Sequence, residues 1–437
     1  MGSPHQRDLA HDLVLPTLLF AALGGMTWAV RGCSGFGAMN GCVFAGVTWG
    51  GAWWFIARDP AGAQSRRYTS GWIILALTLG IGLSGNRGWM QWPSFFEGRL
   101  QTNTPAGAFV PIPRVYGFIW LFIAGVPWAG LGACALAWCA SGTRLRVRDW
   151  LCRIGAGVLV AVVARLLFKH FPQLFLPLYE SLQAQYADLH ANPNLHRLIN
   201  DNYAAVTHLG LYLGFLGYEF VRRDWKNVTL ILTVGLFNGF GWALCQNWKW
   251  AATVWPGANF NFWRCWESSG GISIGLAYGV AYFLVNRPQP ESAPGFVSQR
   301  PNLERFACYA GLVLGLGLSL KNGLKGWTNI YLGNEDYYNS LLWRVIGPLM
   351  LLLFAGLAVR IRSRPLGKDF RGDVFPQSYA LIWLVLIMQN VIAQLITGPL
   401  SSWNEAAFSI YYLLLFATTA VIILHFRTVK ALQVLPS

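Results

Sequence analysis

The sequence is short of charge. Only 12% of its 437 residues are Asp, Glu, Lys or Arg, against 54% hydrophobic, whereas soluble domains carry roughly 25% charged residues. So little charge cannot cover a water-facing surface, which excludes an ordinary soluble domain. A Cys-x-x-C pair is also lacking. The eight cysteines are scattered, so zinc and thioredoxin-type chemistry have no motif, and no metal or other cofactor is expected. Cys245 and Cys265 flank one loop, as a disulfide or as small apolar fillers. No Walker-type phosphate loop occurs. No cleavable signal peptide is read, because Met1 to His11 is polar and the first apolar run leads straight into further runs. Acid is scarcer than base, 18 residues against 33, for a formal net charge of +15. The basic residues sit in short stretches between apolar runs, so they are read as setting topology. The expected partner is the lipid bilayer, with no nucleic acid.

Trp (22) and Gly (48) are abundant. Trp favours membrane interfaces, and Gly lets transmembrane helices approach closely. A span needs roughly 20 mostly apolar residues. That template gives twelve candidate spans near 12–31, 38–57, 70–86, 115–140, 150–169, 203–221, 227–246, 270–286, 307–321, 341–361, 378–397 and 405–426. The third and ninth are short and Gly-rich, and are expected to be tilted or broken. The fold class is therefore an all-α polytopic membrane protein. Basic residues follow every second span: Arg58, Arg66 and Arg67; Arg144, Arg146 and Arg148; Arg222, Arg223 and Lys226; Arg287, Arg300 and Arg305; Arg360, Arg362, Arg364, Lys368 and Arg371. By the positive-inside rule these loops and both termini are cytoplasmic, in a cytoplasmic or inner membrane.

The chain also reads as written twice. Gly80-Ile81-Gly82-Leu83-Ser84 recurs as Gly315-Leu316-Gly317-Leu318-Ser319, about 235 residues on, and repeats of this period are a mark of transporter architectures. Each copy ends an apolar run and leads into a polar, Trp-bearing stretch read as a loop. Weaker matches keep the same order: Trp28-Ala29 with Trp242-Ala243, the Gly-rich run from Gly41 to Pro60 with that from Gly271 to Pro290, Arg114-Val115-Tyr116-Gly117 with Arg344-Val345-Ile346-Gly347, and Ala164 to Leu167 with Ala393 to Ile396. The reading is two parallel six-helix repeats, residues 1–222 and 223–437.

Twelve spans, two parallel six-span halves and inward termini resemble the major facilitator superfamily. Between spans two and three, Arg58-Asp59-Pro60-Ala61-Gly62-Ala63-Gln64-Ser65-Arg66-Arg67 imitates that family's Gly, acidic and basic signature, with extra residues and a Pro; the loop from Asn286 to Arg305 does not carry it. The resemblance is one of architecture. It implies a gradient-driven carrier, by analogy of fold alone.

Candidate substrate-binding residues collect in three polar, Trp-rich segments on the external side. They are Asn86, Arg87 and Trp89; Gln246, Asn247, Trp248 and Lys249, with Trp266 and Glu267; and Lys321, Asn322, Lys325, Trp327, Glu335 and Asp336. Aromatic faces beside amides and carboxylates suit polyhydroxylated ligands, and Arg or Lys suits an anionic group. Trp at membrane interfaces also forms ordinary anchoring belts. Arg31, ending span one, and Arg165, within span five, are expected to face a cavity or a partner, since a charge in hydrocarbon costs at least about 2.5 kcal/mol. Arg165, with the neutral Gln394 as its repeat partner, is read as a buried positive charge. His208 is read as a packing residue, and Glu219 as lying at the cytoplasmic surface. Leu178 to Asn202 is read as an external amphipathic helix with a turn at Asn192-Pro193.

No motif names a substrate. The leading expectation is a secondary transporter of a small polar solute, sugar-like or anionic. The alternatives are a membrane enzyme with an external active site for a glycan or lipid-linked substrate, and an assembly subunit with external Trp-rich binding loops.

Overall fold

Backbone groups in a bilayer core have no water to bond, so apolar runs close their hydrogen bonds within helices. The computed structural model describes residues 9–33, 38–57, 67–85, 92–103, 109–140, 146–245, 247–286, 301–363 and 374–432. A π-helical turn, Ala10–Val14, leads into α1 (Leu15–Arg31), followed by α2 (Ala38–Ala57), α3 (Trp72–Ser84) and the short α4 (Trp92–Phe95). A small hairpin follows, β1 (Arg99–Gln101) antiparallel to β2 (Phe109–Pro111), with Leu100 opposite Val110. Then come α5 (Val115–Ala140), α6 (Val147–His170), α7 (Gln183–Ala187), α8 (Pro193–Val221), α9 (Trp225–Cys245) and α10 (Trp248–Val254). The remainder is α11 (Phe262–Val285), α12 (Pro301–Tyr331), α13 (Glu335–Ser363), α14 (Val374–Leu395) and α15 (Trp403–Leu432).

Each expected span coincides with one helix. Among the described residues ten helices are long and apolar enough to cross a membrane, and α2 and α3 contribute shorter apolar stretches, Gly41–Ala57 and Trp72–Ser84. The chain is a polytopic, all-helical integral membrane protein. Side-chain contacts between helix ends support alternation. Arg31 meets Glu267, Trp250 meets Phe96 and Arg264 meets Glu405 at one end, whereas Arg67 meets Asp224, Tyr282 meets Ile56 and His11 meets His425 at the other.

Six helices close a ring in the order α1, α11, α9, α5, α3, α2. The interior of the ring is filled by aromatic side chains from five helices. Trp28 stacks on Trp49 at 5.2 Å and meets Trp128 edge-on at 4.8 Å. Trp128 lies 4.9 Å from Trp242, and Tyr278 lies 5.5 Å from Trp49. Trp49, Trp53 and Tyr278 turn their polar atoms to backbone carbonyls, which removes the penalty of burying a bare N–H or O–H. Trp49 Nε1 donates to Phe20 O at 3.1 Å, Trp53 Nε1 to Tyr68 O at 3.1 Å, and Tyr278 Oη to Ala129 O at 3.2 Å.

The ring closes tightly because its contact faces are nearly bare. A Cβ added at Gly271 of α11 would sit 2.1 Å from Gly24 O, and one at Gly275 would sit 2.2 Å from Phe20 O. Residues four apart share a helix face, so these glycines and Gly279 form a small-residue stripe along α1. Outside the ring, α8 packs on α5 and carries α6, α12 packs on α3 and α2 and carries α13, and α14 and α15 pack on α2 and α1.

The pairings α1 with α11 and α5 with α9 both cross the boundary between residues 222 and 223. A six-helix shift would pair α9 with α2 as α1 pairs with α11, and these two helices do not pack extensively among the described residues. Gly80 faces Gly132 of α5 and Gly82 faces Val43 of α2, whereas Gly315 faces Val47 of α2 and Gly317 faces Met350 of α13. The two similar strings thus occupy unlike surroundings.

Two expectations are corrected, and one open alternative is decided. The stretch after Ser319 is not a loop, and the ninth span is neither short nor broken: α12 runs on to Tyr331. No proline interrupts Asn302 to Tyr331, and Lys321 and Lys325, four residues apart, both find partners on α13. Only Gln183–Ala187 of the expected external helix forms as such; Pro193 occupies the first turn of α8, so Leu195 and Leu198 begin that long helix, a position that suits its fixed φ. Cys245 and Cys265 are free thiols.

Candidate functional site

Arg31 and Glu267 meet at one end of the ring. Arg31 is the last residue of α1, where a cation is favoured by the helix dipole. Glu267 lies in the second turn of α11, whose first turn is capped by Asn261 Oδ1 accepting from Arg264 N at 3.0 Å. Arg31 Nη1 donates to both Glu267 oxygens at 3.1 Å. Their side chains are 6% and 4% exposed. Trp28 and Trp128 flank the guanidinium, its carbon 5.8 and 5.6 Å from their ring centres. Gly32 follows directly, and a Cβ there would lie 2.8 Å from Glu267 Cγ. The turn after α1 therefore passes over the carboxylate only because residue 32 has no side chain.

A second, partly buried pair stands one turn away on α11. Arg264 Nη1 and Nη2 donate to the two Glu405 oxygens at 3.0 and 3.1 Å, over the Phe408 ring at 4.6 Å. Glu405 Oε2 also accepts from Gly398 N at 2.9 Å. Cys33 lies between the pairs, its Sγ 4.0 Å from Tyr412 Oη; burial pushes its thiol up to about 11, so it stays protonated near neutral pH. Two arginines and two glutamates make this layer neutral as a whole.

Of the sequence-predicted residues, Arg31, Glu267 and Trp266 come together here, Trp266 packing against Trp263 at 4.5 Å. Asn86, Arg87, Trp89 and Gln246 lie outside the described residues, as does the Lys249 side chain. Asn247 precedes α10, and Trp248 on α10 is exposed. Its neighbour Trp250 ties α10 to the α4 region by donating to Phe96 O at 3.1 Å. The third segment forms a separate cluster between α12 and α13. Lys321 is buried against Asn339 Oδ1 and the Trp343 ring, and Lys325 Nζ bonds Glu335 Oε1 at 2.5 Å. Asn322 is buried, Trp327 packs on Tyr331 at 6.0 Å, and Asp336 is exposed.

Two charge readings are overturned. Arg165 is not buried. It sits on the exposed side of α6, its Nε donating to Tyr203 Oη at 2.5 Å, because α6 packs chiefly on α8 and leaves its other faces outward. Glu219 is not at the surface. It is fully buried and accepts from Arg153 Nε at 2.5 Å, Trp138 Nε1 at 3.1 Å and Asn227 Nδ2 at 2.9 Å. Asn227 Oδ1 accepts from Tyr68 Oη at 2.6 Å, and Arg67 bonds Asp224 at 2.5 Å, so this network joins α5, α6, α8, α9 and the chain before α3. Arg153, Arg264 and Glu405 were missed as site residues. The signal for the α11 pair was Arg264 and Glu267, opposite charges three residues apart in an apolar stretch.

Other polar residues within helices mostly serve carbonyls. Gln389 Nε2 donates to Leu23 O at 2.7 Å and Asn238 Nδ2 to Gly125 O at 2.5 Å. Among the described residues no group of three His, Cys, Asp or Glu side chains is placed to hold a metal ion. Helix content and buried charge thus define a class, a polytopic membrane protein with ionic layers at both ends of an aromatic-filled ring. The chain matches no family model, and no curated protein and no solved structure matches it.

Proposed function

We propose that the protein is a secondary transporter, coupling the uptake of a small organic anion to a proton at the Arg31–Glu267 pair. That pair carries the reading. Ionisable residues inside a membrane protein are costly and tend to mark solute or proton pathways, and a buried pair contributes little net stability over apolar packing of the same volume. The pair is also neutral. A lone anion displacing Glu267 from Arg31 would strand a buried carboxylate, so the favoured ligand brings an anion for Arg31 and a proton for Glu267 together. The ring faces of Trp28 and Trp128 suit the apolar face of a hydroxy acid or sugar acid. The alternation of twelve helices supports inward termini and a cytoplasmic or inner membrane. The six-plus-six repeat rests on sequence order, and helix pairing lends it no support.

The enzyme reading needs two carboxylates dividing acid and base roles. Glu267, Glu405 and Glu335 are each engaged by a cation, which favours transport over hydrolysis. The test is uptake of labelled hydroxycarboxylates and sugar acids into liposomes under an imposed pH gradient. The wild type is expected to accumulate solute only with the inside alkaline. Glu267→Gln is expected to retain exchange of solute across the membrane and to lose accumulation driven by the gradient. Accumulation by Glu267→Gln equal to that of the wild type would overturn the coupling. No movement of any panel member would overturn the transport reading.

A further inference from the structure

We propose that the groove between α6, α8 and the chain from Pro172 to Tyr186 binds one anionic phospholipid, with its phosphate held by Arg165 and Lys169. This site is independent of the Arg31–Glu267 pair and of any transport activity. The groove encloses about 590 Å³. Arg165 and Lys169 are four residues apart on α6, so they project from one face. Helix rise is about 1.5 Å per residue, which puts Arg165 about 8 Å and Lys169 about 2 Å short of the helix end at His170, the depth at which lipid phosphates meet snorkelling cations.

The lining carries no Asp or Glu, so its charge is positive. Tyr203 already accepts from Arg165 Nε, which leaves the two terminal nitrogens of the fork for a phosphate. Tyr179 and Tyr186 also line the groove, 5.5 Å apart, and phenols favour this interfacial level. The remaining lining distinguishes a lipid from a free anion. Leu166, Phe168, Leu176 and Ile199 form much of the wall, which gives inorganic phosphate nothing to bind and gives an acyl chain a surface. The groove opens onto the outer side of α6, where Val162 and Leu166 are 45% and 50% exposed. A chain running along them is continuous with bulk lipid.

The test is thermal unfolding of the full-length protein in detergent, titrated with phosphatidylglycerol, phosphatidylcholine or inorganic phosphate. Phosphatidylglycerol is expected to raise Tm with dose, and the other two are not. The double variant Arg165→Gln with Lys169→Gln is expected to need about ten-fold more phosphatidylglycerol for half the shift, since each basic residue near the surface attracts anionic lipid. Arg165→Lys with Lys169→Arg is expected to restore it. Should the Gln variant unfold earlier without lipid, bound phosphatidylglycerol counted by native mass spectrometry replaces Tm as the readout. An unchanged lipid response in the Gln variant overturns the proposal, as does an equal response to phosphatidylcholine. An equal response to inorganic phosphate would make this a free-anion pocket and overturn the lipid.

Discussion

Helices α1 and α13 are alike in apolar character, yet 72% of the most apolar stretch of one is buried and 11% of the other. α1 carries Ala21, Ala22, Gly24, Gly25 and Ala29 among its buried residues. α13 carries Leu351, Leu352 and Leu353 in succession, all exposed. Lipid tails are as apolar as leucine, so hydropathy drives neither helix towards protein. What distinguishes them is how near another backbone can come. Small residues let α1 lie against α11 at backbone contact, while α13 has large side chains turned to the bilayer and, among the described residues, joins the molecule mainly through α12.

The most direct way to break this comparison is to make the two surfaces alike. In Gly271→Leu the new side chain begins 2.1 Å from Gly24 O, where only backbone could yield. Overpacking of flexible cores costs about 1–3 kcal/mol and rigid backbone costs more, so loss of folded, monodisperse protein is expected in detergent chromatography. Gly356→Leu on α13 meets nothing within 4 Å, and its unfolding midpoint should match the wild type, within about 0.5 kcal/mol. Equal tolerance at both positions would sink the ring arrangement.

This difference also marks how far the sequence could be read. Apolar runs located the ten long apolar helices and the two shorter ones found among the described residues, because exclusion from water is legible residue by residue. Which helices meet was not, because the same leucine satisfies lipid and protein. Arg165 shows the consequence. Its place within an apolar run implied burial, but α6 is peripheral and the side chain lies at the outer surface. Glu219 erred the other way, since nearby Arg222 and Arg223 suggested water while the partner, Arg153, lay 66 positions away. The Arg31–Glu267 bond spans 236 positions, and no local pattern announces a contact of that separation. Gly-x-x-x-Gly-x-x-x-Gly from Gly271 to Gly279 was the one legible pairing signal, and it had been read as half of a repeat.

Charge pairs sharpen the same contrast between inner and outer surfaces. Arg31→Ala leaves Glu267 buried without its cation and should cost about 3–5 kcal/mol in thermal or denaturant unfolding. Replacing both partners, Arg31→Met with Glu267→Leu, should recover most of that loss while abolishing any transport. A double variant as unstable as the single would mean that the pair holds the ring together for its own sake. Lys325→Ala removes a pair whose acid is 40% exposed, and such pairs contribute about 0.2–1 kcal/mol. Its stability should also depend on salt, which a buried pair resists.

The smallest effect tests the two similar strings directly. Ser84 Oγ donates to Trp128 O at 2.6 Å, joining α3 to α5. Ser319 Oγ, at the matching position, donates to Gly315 O within its own helix at 2.5 Å. Interhelical hydrogen bonds in membrane proteins average about 0.6 kcal/mol, whereas a serine bonded to its own helix carbonyl gives little or nothing. Ser84→Ala should therefore lower stability measurably and Ser319→Ala should not. Equal losses would mean that the strings do equivalent work despite their different neighbours, and would restore the repeat as a structural unit. Unequal losses would show that the likeness stops at composition: both helices need small residues there, and each uses them against a different partner.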